Sequence, residues 1–229
     1  MQEIMYEKER SEVAYFMRRL YRQGLTTTSG GNVSCLTADG NVAISASQWD
    51  KGELQAEGVG IVSLRDGYSL TPELKLSIET GLHLAIYRSR PDVKAIVHAH
   101  PVTATAFCAT SCTINTHLTA EAYALLGDPV WIPYALMGTP ELAENVAQCM
   151  QPPAVCGMME NHGVLTVAPT LLSAFDKLEL LEVAARQTVL LKQIGNQQEL
   201  TPPRLAELDR FVGRVEAAQA ASARSARQS

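Results

Sequence analysis

Hydrophobic and polar positions along the chain follow two patterns, one of helical spacing and one of short apolar runs. Near the N-terminus, Val13, Phe16 and Leu20 recur at helical spacing over residues 4–24, and Gly24 ends that helix. The same spacing predicts further helices over residues 75–89, 102–110, 118–126, 140–150, 170–195 and about 202–221. Apolar runs predict strands at residues 41–45, 60–64, 93–100, 129–134, 154–160 and 163–168, and a glycine-rich turn at 26–36 opens into another.

Helices and strands are interleaved along the whole length, without an internal repeat or a long linker. This alternation predicts one α/β domain over residues 1–221. The last residues, 222–229, are rich in Ala, Ser and Arg, and we expect them to form a flexible tail.

Composition excludes several classes of partner. The net charge of −5 gives no electrostatic reason to expect binding to nucleic acid or to an anionic membrane surface. No run approaches the roughly 20 apolar residues of a membrane-spanning helix. Five cysteines without a CxxC spacing are typical of buried thiols in a reducing compartment, so the sequence predicts a cytoplasmic protein.

Two histidines, His98 and His100, close the apolar run VKAIVHAH. Residues two apart on a strand point to the same face, so the two imidazoles lie side by side. Such a pair suits a first-row metal such as zinc. It also suits a strand end whose histidines bind the backbone, and the pair alone does not decide between these readings.

Other polar residues extend the candidate site. Glu79 and His83 lie four apart on the predicted helix 75–89 and face one direction, and His162 lies in the turn ENHGVL between two apolar strands. With His98 and His100 they supply three or four N/O ligands, the number found in a catalytic zinc site with an open position. Spacing alone leaves open whether they converge.

Four segments of the sequence resemble one known family. They are GNVS at 31–34, SIETGLHLAIYRSRPDVKAIVHAHP at 77–101, PYALMGTPELAENVA at 133–147 and NHG at 161–163. In this order they resemble the class II aldolase/adducin family, and the similarity spans roughly residues 8–195. The resemblance implies a single α/β domain with a central, largely antiparallel or mixed sheet between helices, and a cyclic homotetramer.

The resemblance also implies roles for individual residues. His98, His100 and His162 would bind one divalent metal, with Zn²⁺ favoured. Glu79 would complete the resting metal shell and act as acid and base, while His83 would support the site or pack. His117 has no counterpart among the ligands and is expected at the surface or a pocket rim. Glu121 and Tyr123 lie where relatives carry a further acid.

The chemistry implied is reversible aldol cleavage of a short sugar phosphate or related hydroxy-ketone. A divalent cation would stabilise the enediolate that forms beside the ketone. The same site would also serve an epimerase, a dehydratase or a decarboxylase, since a fold does not fix the reaction. A non-catalytic adducin-like interaction module is the alternative from another class.

The resemblance places an anion-binding site at the other end of the substrate. Backbone N–H groups of a glycine-rich turn, with hydroxyl and amide side chains, would bind the anion. The matching residues are Ser29, Gly31, Asn32, Ser47 and Ser77. Two positions depart from the aldolase pattern, Gln48 in place of a glycine and Ile78 in place of a serine. A carboxylate would fit the same turn, and Lys51 either reaches the anion or lies in solvent.

Overall fold

A computed structural model describes residues 5–214 of the chain. Within these residues, seven strands form one sheet with the spatial order β3–β2–β1–β4–β7–β6–β5. The strands are β1 Asn32–Leu36, β2 Asn41–Ser45, β3 Val59–Ser63, β4 Ala95–Ala99, β5 Val130–Ile132, β6 Cys156–Met159 and β7 Gly163–Ala168. All neighbours are antiparallel except the parallel pair β5–β6.

Helices cover both faces of this sheet. They are α1 Glu7–Arg22, α2 Thr80–Ser89, α3 Val102–Phe107, α4 Ala120–Leu126, α5 Pro140–Cys149, α6 Leu171–Ile194 and α7 Pro202–Phe211. One apolar core packs α1, α3 and α6 against the face that carries Val33 and Val97, and a second packs α2 and α5 against the face that carries Ile96 and Leu165. This arrangement confirms the predicted α/β fold, with a mixed sheet between helices. Within residues 5–214, no helix is long and apolar enough to span a bilayer.

Most predicted elements are present with shifted ends, but one boundary was wrong in a way that matters. The helix predicted over residues 75–89 begins only at Thr80, and Glu79 is its N-cap. The preceding residues are held by contacts with other segments: the Lys75 carbonyl accepts from the Ser47 amide, and the Ser77 hydroxyl accepts from the Asn32 side chain. These tertiary bonds replace the helical bonds that the apolar spacing suggested.

Other ends differ by a few residues. The N-terminal helix begins at Glu7, the strand predicted at 93–100 ends at Ala99, and the helix predicted at 202–221 ends at Phe211. The proposed tail, 222–229, lies outside the described residues, as does Ile4.

Strand β4 lies in the middle of the sheet and positions the site. Its neighbour β1 begins at Asn32, which pairs with His98, and its other neighbour β7 pairs Val164 with Ala99. The C-terminal end of β4 therefore meets both the glycine-rich turn before β1 and the turn that enters β7. Sequence segments far apart in the chain come together at this edge.

Candidate active site

Three histidines converge where β4 ends. His98 is on β4, His100 follows the strand, and His162 is in the turn before β7. Each of the three rings has one nitrogen that lies within 4.8 Å of a nitrogen of both other rings. His98 is fully buried, whereas the other two are partly exposed. The predicted ligand histidines are thus brought together, with one open side.

A backbone contact fixes the tautomer of His98. Its Nδ1 lies 3.0 Å from the carbonyl oxygen of Val164, which can only accept a hydrogen bond. Nδ1 must therefore carry the proton, and Nε2 keeps a free lone pair. Burial lowers the pKa of His98 despite the neighbouring Glu79 carboxylate, which acts in the opposite direction. A neutral ring with a directed lone pair is the form that binds metals.

The buried carboxylate of Glu79 faces these rings. Its Oε2 lies 3.3 Å from Nε2 of His98, and its Oε1 lies 3.0 Å from Nε2 of His162. Burial alone would raise the pKa of Glu79, but the two histidines and a hydrogen bond from Asn32 lower it well below its usual range. The carboxylate is therefore ionised at neutral pH.

The donor set fits a divalent cation. Within residues 5–214, Nε2 of His98 and Oε1 of Glu79 are buried without a hydrogen-bond partner. Nε2 of His98 and Oε2 of Glu79 lie 3.3 Å apart, and two acceptors at this distance repel unless a proton or a cation lies between them. Three imidazoles and one carboxylate are the ligand types and number of a zinc-type site. These residues therefore fit the metal that the resemblance implies.

Two glycines leave room for the His100 ring. A Cβ at Gly30 would lie 2.9 Å from its Nδ1, and a Cβ at Gly163 would overlap its Cδ2. Burial, with the neighbouring His98 and His162, lowers the pKa of His100 to about 4, so the ring is neutral at pH 7. The backbones of Gly30 and Gly163 therefore pack closely against the His100 ring and hold it in place.

The glycine-rich turn lies against the same strand. Gly31 has φ +67°, and a Cβ there would lie 2.7 Å from the His98 carbonyl, so only glycine fits. Asn32 follows it, buried, and its Nδ2 lies 3.1 Å from Ser77 Oγ and 2.6 Å from Glu79 Oε2. Asn32 thus touches both the predicted anion-binding side and the candidate metal ligand. Ser29 is exposed at the start of the turn.

The second hydroxyl loop, Ala46–Gln48, is tied to the Ser77 segment. The amide of Ser47 donates to the carbonyl of Lys75 at 2.8 Å. Gln48 has φ +65°, so the backbone adopts the left-handed conformation that favours glycine. The departure at this position therefore changes the side chain but keeps the conformation. Ile78, the other departure, is 55% exposed.

Lys51 lies neither in solvent nor beside an acidic group. It is 2% exposed, and its Nζ donates to the Ala46 carbonyl at 2.6 Å. Its backbone amide donates to the Thr28 carbonyl at 2.9 Å, so the residue links both candidate anion-binding loops. Burial lowers the pKa of Lys51 to about 8. The alternative in which Lys51 lies in solvent was therefore wrong, and the alternative in which it reaches an anion stays a prediction.

The remaining candidates lie elsewhere. His117 is half-buried, 2.9 Å from Asp128, and lines an open cavity of about 630 Å³, as a rim residue would. Glu121 is exposed on α4. Tyr123 is buried on the same helix and donates to Asp209 at 3.1 Å. Neither belongs to the histidine cluster within one subunit.

His83 and two residues absent from the sequence-based site form a buried chain. His83 contacts Asn32 through one ring nitrogen and Ser34 through the other, and Ser34 also contacts Tyr87. A periodic signal was present: Tyr87 is one helical turn after His83, and Ser34 is two residues after Asn32 on the same strand face. Serine and tyrosine are not among the metal-ligand types, histidine and glutamate, from which the candidate site was predicted.

Comparison with known proteins adds a family match. Residues 11–189 match the model of the class II aldolase and adducin N-terminal domain. A 5-deoxy-D-ribulose 1-phosphate aldolase from Bacillus thuringiensis is 32% identical over 209 residues, covering 90% of this chain and 95% of the relative. A 3-oxo-tetronate 4-phosphate decarboxylase from Pectobacterium atrosepticum is 31% identical, covering 81% and 85%. A solved structure of L-fuculose 1-phosphate aldolase superposes with a TM-score of 0.83 at 27% identity, covering 92% and 99%.

Proposed function

The chain belongs to the class II aldolase and adducin family, and from that premise we propose that it is a metal-dependent lyase. It would reversibly cleave the carbon–carbon bond of a short sugar phosphate or related hydroxy-ketone. The observation that carries this proposal is the meeting of three imidazoles with one buried, ionised carboxylate.

His98, His100 and His162 would hold the cation, and the donor set favours Zn²⁺. When bound, such a cation supplies a Lewis acid that polarises a carbonyl and absorbs negative charge on its oxygen. The neutral state of His98 and His100 leaves the positive charge undiminished. The fixed tautomer of His98 directs its lone pair at the site before any ligand arrives.

Glu79 would move the proton. Asn32 donates to Oε2, whereas Oε1 faces Nε2 of His162 at 3.0 Å, a nitrogen that would bind the metal rather than donate. We therefore assign proton transfer to Oε1 of Glu79. An ionised carboxylate within reach of the reacting group can take a proton from the carbon beside the ketone in the addition direction, which leaves an enediolate, and can return it to that carbon after cleavage.

A second acid would protonate the aldehyde oxygen as the carbon–carbon bond forms, and its conjugate base would take the hydroxyl proton in cleavage. Of the two candidates, Tyr123 is buried and bonded to Asp209, whereas Glu121 is exposed on α4. Glu121 is therefore the better candidate, and it would reach a site formed with a neighbouring subunit. We propose a homotetramer, supported by the exposed apolar side chains of Tyr134, Leu136 and Met137. Light scattering coupled to size exclusion measures this, and a monomer contradicts it.

The substrate anion would lie at the turn of Ser29, Gly31 and Asn32, with Ser47 and Ser77 at its sides. A phosphate suits this turn because several N–H and O–H donors converge there. The names of the aldolase and decarboxylase relatives, both acting on phosphorylated compounds, support a phosphorylated substrate. A carboxylate is the smaller alternative that the Ile78 departure favours.

Decarboxylation is the second candidate reaction, favoured by the relative that carries that name. Loss of carbon dioxide from a 3-oxo acid passes through the same kind of stabilised enolate, so the site needs no new group. Epimerase and dehydratase activities remain alternatives of the same chemistry. A non-catalytic module is disfavoured, because a scaffold has no use for buried polar atoms without partners.

Metal analysis and a substrate panel test the proposal. We expect about one divalent ion per subunit, lost in His98→Ala and kept in His117→Ala, which serves as the matched control. Ketose 1-phosphates and a 3-oxo acid phosphate should be assayed with and without chelator. Aldehyde release that a chelator abolishes supports the lyase; carbon dioxide release alone would replace it with the decarboxylase. Absence of both, with no bound metal, contradicts the enzyme proposal.

A further inference from the structure

A chain of buried hydrogen bonds runs from helix α2 to the Glu79 carboxylate. Tyr87 Oη lies 2.8 Å from Ser34 Oγ, which lies 2.6 Å from Nδ1 of His83. Nε2 of His83 lies 2.5 Å from Oδ1 of Asn32, whose Nδ2 reaches Glu79 at 2.6 Å. Tyr87, Ser34, His83 and Asn32 are each at most 4% exposed. We call these four residues the relay.

The direction of every bond in the relay follows from its last member. The Glu79 carboxylate can only accept, so the amide of Asn32 must turn its NH₂ group towards it. The carbonyl oxygen of Asn32 then faces His83 and requires a proton on Nε2. A neutral ring with a proton on Nε2 has a lone pair on Nδ1, so the hydroxyl of Ser34 must donate to it.

Ser34 can then accept only from Tyr87, which has no other acceptor in the relay. The hydroxyl of Tyr87 therefore directs the Ser34 proton towards the ring. Burial lowers the pKa of His83 to about 3, in keeping with a neutral imidazole. One arrangement of protons makes all four hydrogen bonds between Tyr87 and Glu79 without leaving a donor or acceptor of the relay unpaired.

We propose that Tyr87, Ser34 and His83 are positioning residues that lock the Asn32 amide with its NH₂ group towards Glu79 and towards Ser77 at the anion-binding side. The inference rests on the proposed function, because it assigns the locked amide a role at that site. Asn32 donates to Glu79 and to Ser77 at the anion-binding side, so one planar group links the two ends of the substrate.

The alternative amide orientation shows why a lock is needed. The other tautomer of His83, with its proton on Nδ1, would present a lone pair to Asn32 and favour a flipped amide. The amide oxygen would then face the Glu79 carboxylate at a distance suited to a hydrogen bond, so two acceptors would repel. Ser77 would at the same moment lose the N–H that it accepts, the bond that leaves its own hydroxyl proton for the anion. With Nδ1 protonated, Ser34 would have to accept from the ring and donate to Tyr87, whose own hydroxyl proton would then lose its acceptor in the relay. Ser34 and Tyr87 together therefore disfavour this state.

Ring nitrogen NMR tests the relay without reference to turnover. Full-length protein labelled with ¹⁵N at histidine should show His83 neutral with its proton on Nε2, and His83→Gln assigns the signal by its disappearance. In Ser34→Ala, the Nδ1-protonated tautomer should become populated. Ser34→Thr keeps the hydroxyl and should restore the wild-type signal. Thr166→Val, which removes another buried hydroxyl bonded to the Ala174 carbonyl, is the matched control.

Binding and kinetics supply the functional arm. With inorganic phosphate as probe, Ser34→Ala should raise the dissociation constant about five- to tenfold, as expected when one hydrogen bond between uncharged groups, that from Asn32 to Ser77, is lost. It should also lower kcat at unchanged metal content, with Ser34→Thr restoring both. A loss of stability alone would change neither in the folded fraction, and would also follow Thr166→Val.

Two results would overturn the inference. One is a wild-type His83 that carries its proton on Nδ1 or is charged at pH 7. The other is a Ser34→Ala protein with an unchanged His83 tautomer and unchanged phosphate binding. Failure of the lyase proposal looks different: the tautomer would be as stated, while no substrate of the panel would turn over.

Discussion

Replacing Lys51 with methionine is expected to stabilise the protein at neutral pH, although it removes a hydrogen bond. Lys51 is 2% exposed, and its only polar side-chain contact is the Ala46 carbonyl. No acidic side chain forms an ion pair with it within the described residues. Folding therefore buries an ammonium group without a compensating charge, whereas methionine fills a similar volume without one.

The pKa of Lys51 gives the magnitude. Burial lowers it from 10.5 to about 8, a shift that corresponds to a cost of about 3 kcal/mol while the group is charged. The bond to Ala46 returns about 1–2 kcal/mol, which the variant loses. The net gain of Lys51→Met at pH 7 is therefore about 1–2 kcal/mol.

The pH dependence has a definite sign. The folded pKa lies below the unfolded one, so the unfolded chain binds more protons between pH 8 and 10.5. The cost is fully present below pH 8 and disappears as the pH rises through this window. The advantage of the variant should shrink between pH 7 and pH 10, and the lost hydrogen bond should leave it less stable at the upper end.

Urea unfolding of both proteins in chelator, at one protein concentration and at pH 7 and pH 10, measures this difference. Lys75→Met, at an exposed lysine nearby, is the matched control and should change stability by less than about 0.5 kcal/mol at both pH values. A Lys51→Met protein that is less stable at pH 7, or whose difference from wild type is the same at both pH values, refutes the reasoning.

Three further predictions concern residues that are not proposed metal ligands. Gly163→Ala should weaken metal binding at least about tenfold in a chelator competition, because the new Cβ would overlap the ring of His100; Gly81→Ala, whose Cβ would find its nearest neighbour 4.0 Å away, should not. Gln48→Gly should raise the free energy of unfolding by up to about 1 kcal/mol, since φ +65° costs a glutamine more than a glycine; Gln48→Ala, which keeps the strain, should give no such gain. Glu182→Ala should lower the free energy of unfolding by about 2–4 kcal/mol in urea, because the buried carboxylate accepts from two backbone amides at the start of α3. A loss below about 1 kcal/mol would contradict this role of Glu182.

The strands that form the site were predictable because a strand that is buried on both faces is a continuous apolar run in the sequence. Strand β4 and strand β7 are continuous apolar runs, and β7 was predicted with its observed ends, Gly163–Ala168. Their adjacency was not predictable from these runs, since nothing in two apolar segments says that Ala99 pairs with Val164. The convergence of His162 with His98 depends on that pairing.

The start of helix α2 was missed for a different reason. Leu76, Ile78 and Leu82 continue an apolar spacing that suits a helix, and local propensity favours it. Hydrogen bonds from Asn32 and the Ser47 amide hold the preceding backbone in another shape. Contacts over some 30–45 positions leave no periodic signal in a single sequence. The same holds for Lys51, whose burial depends on two loops that meet only in the folded chain.

Asn32 shows how these distant contacts combine in one chemical group. It begins β1 opposite His98, donates to Glu79 and Ser77, and accepts from His83. In the proposed function, a change in the substrate anion therefore acts, through Ser77, on the same amide that holds the Glu79 carboxylate. Substrates with a phosphate and with a carboxylate should differ in turnover as well as in affinity, because the amide beside the proposed anion site also positions the proposed proton-transfer group.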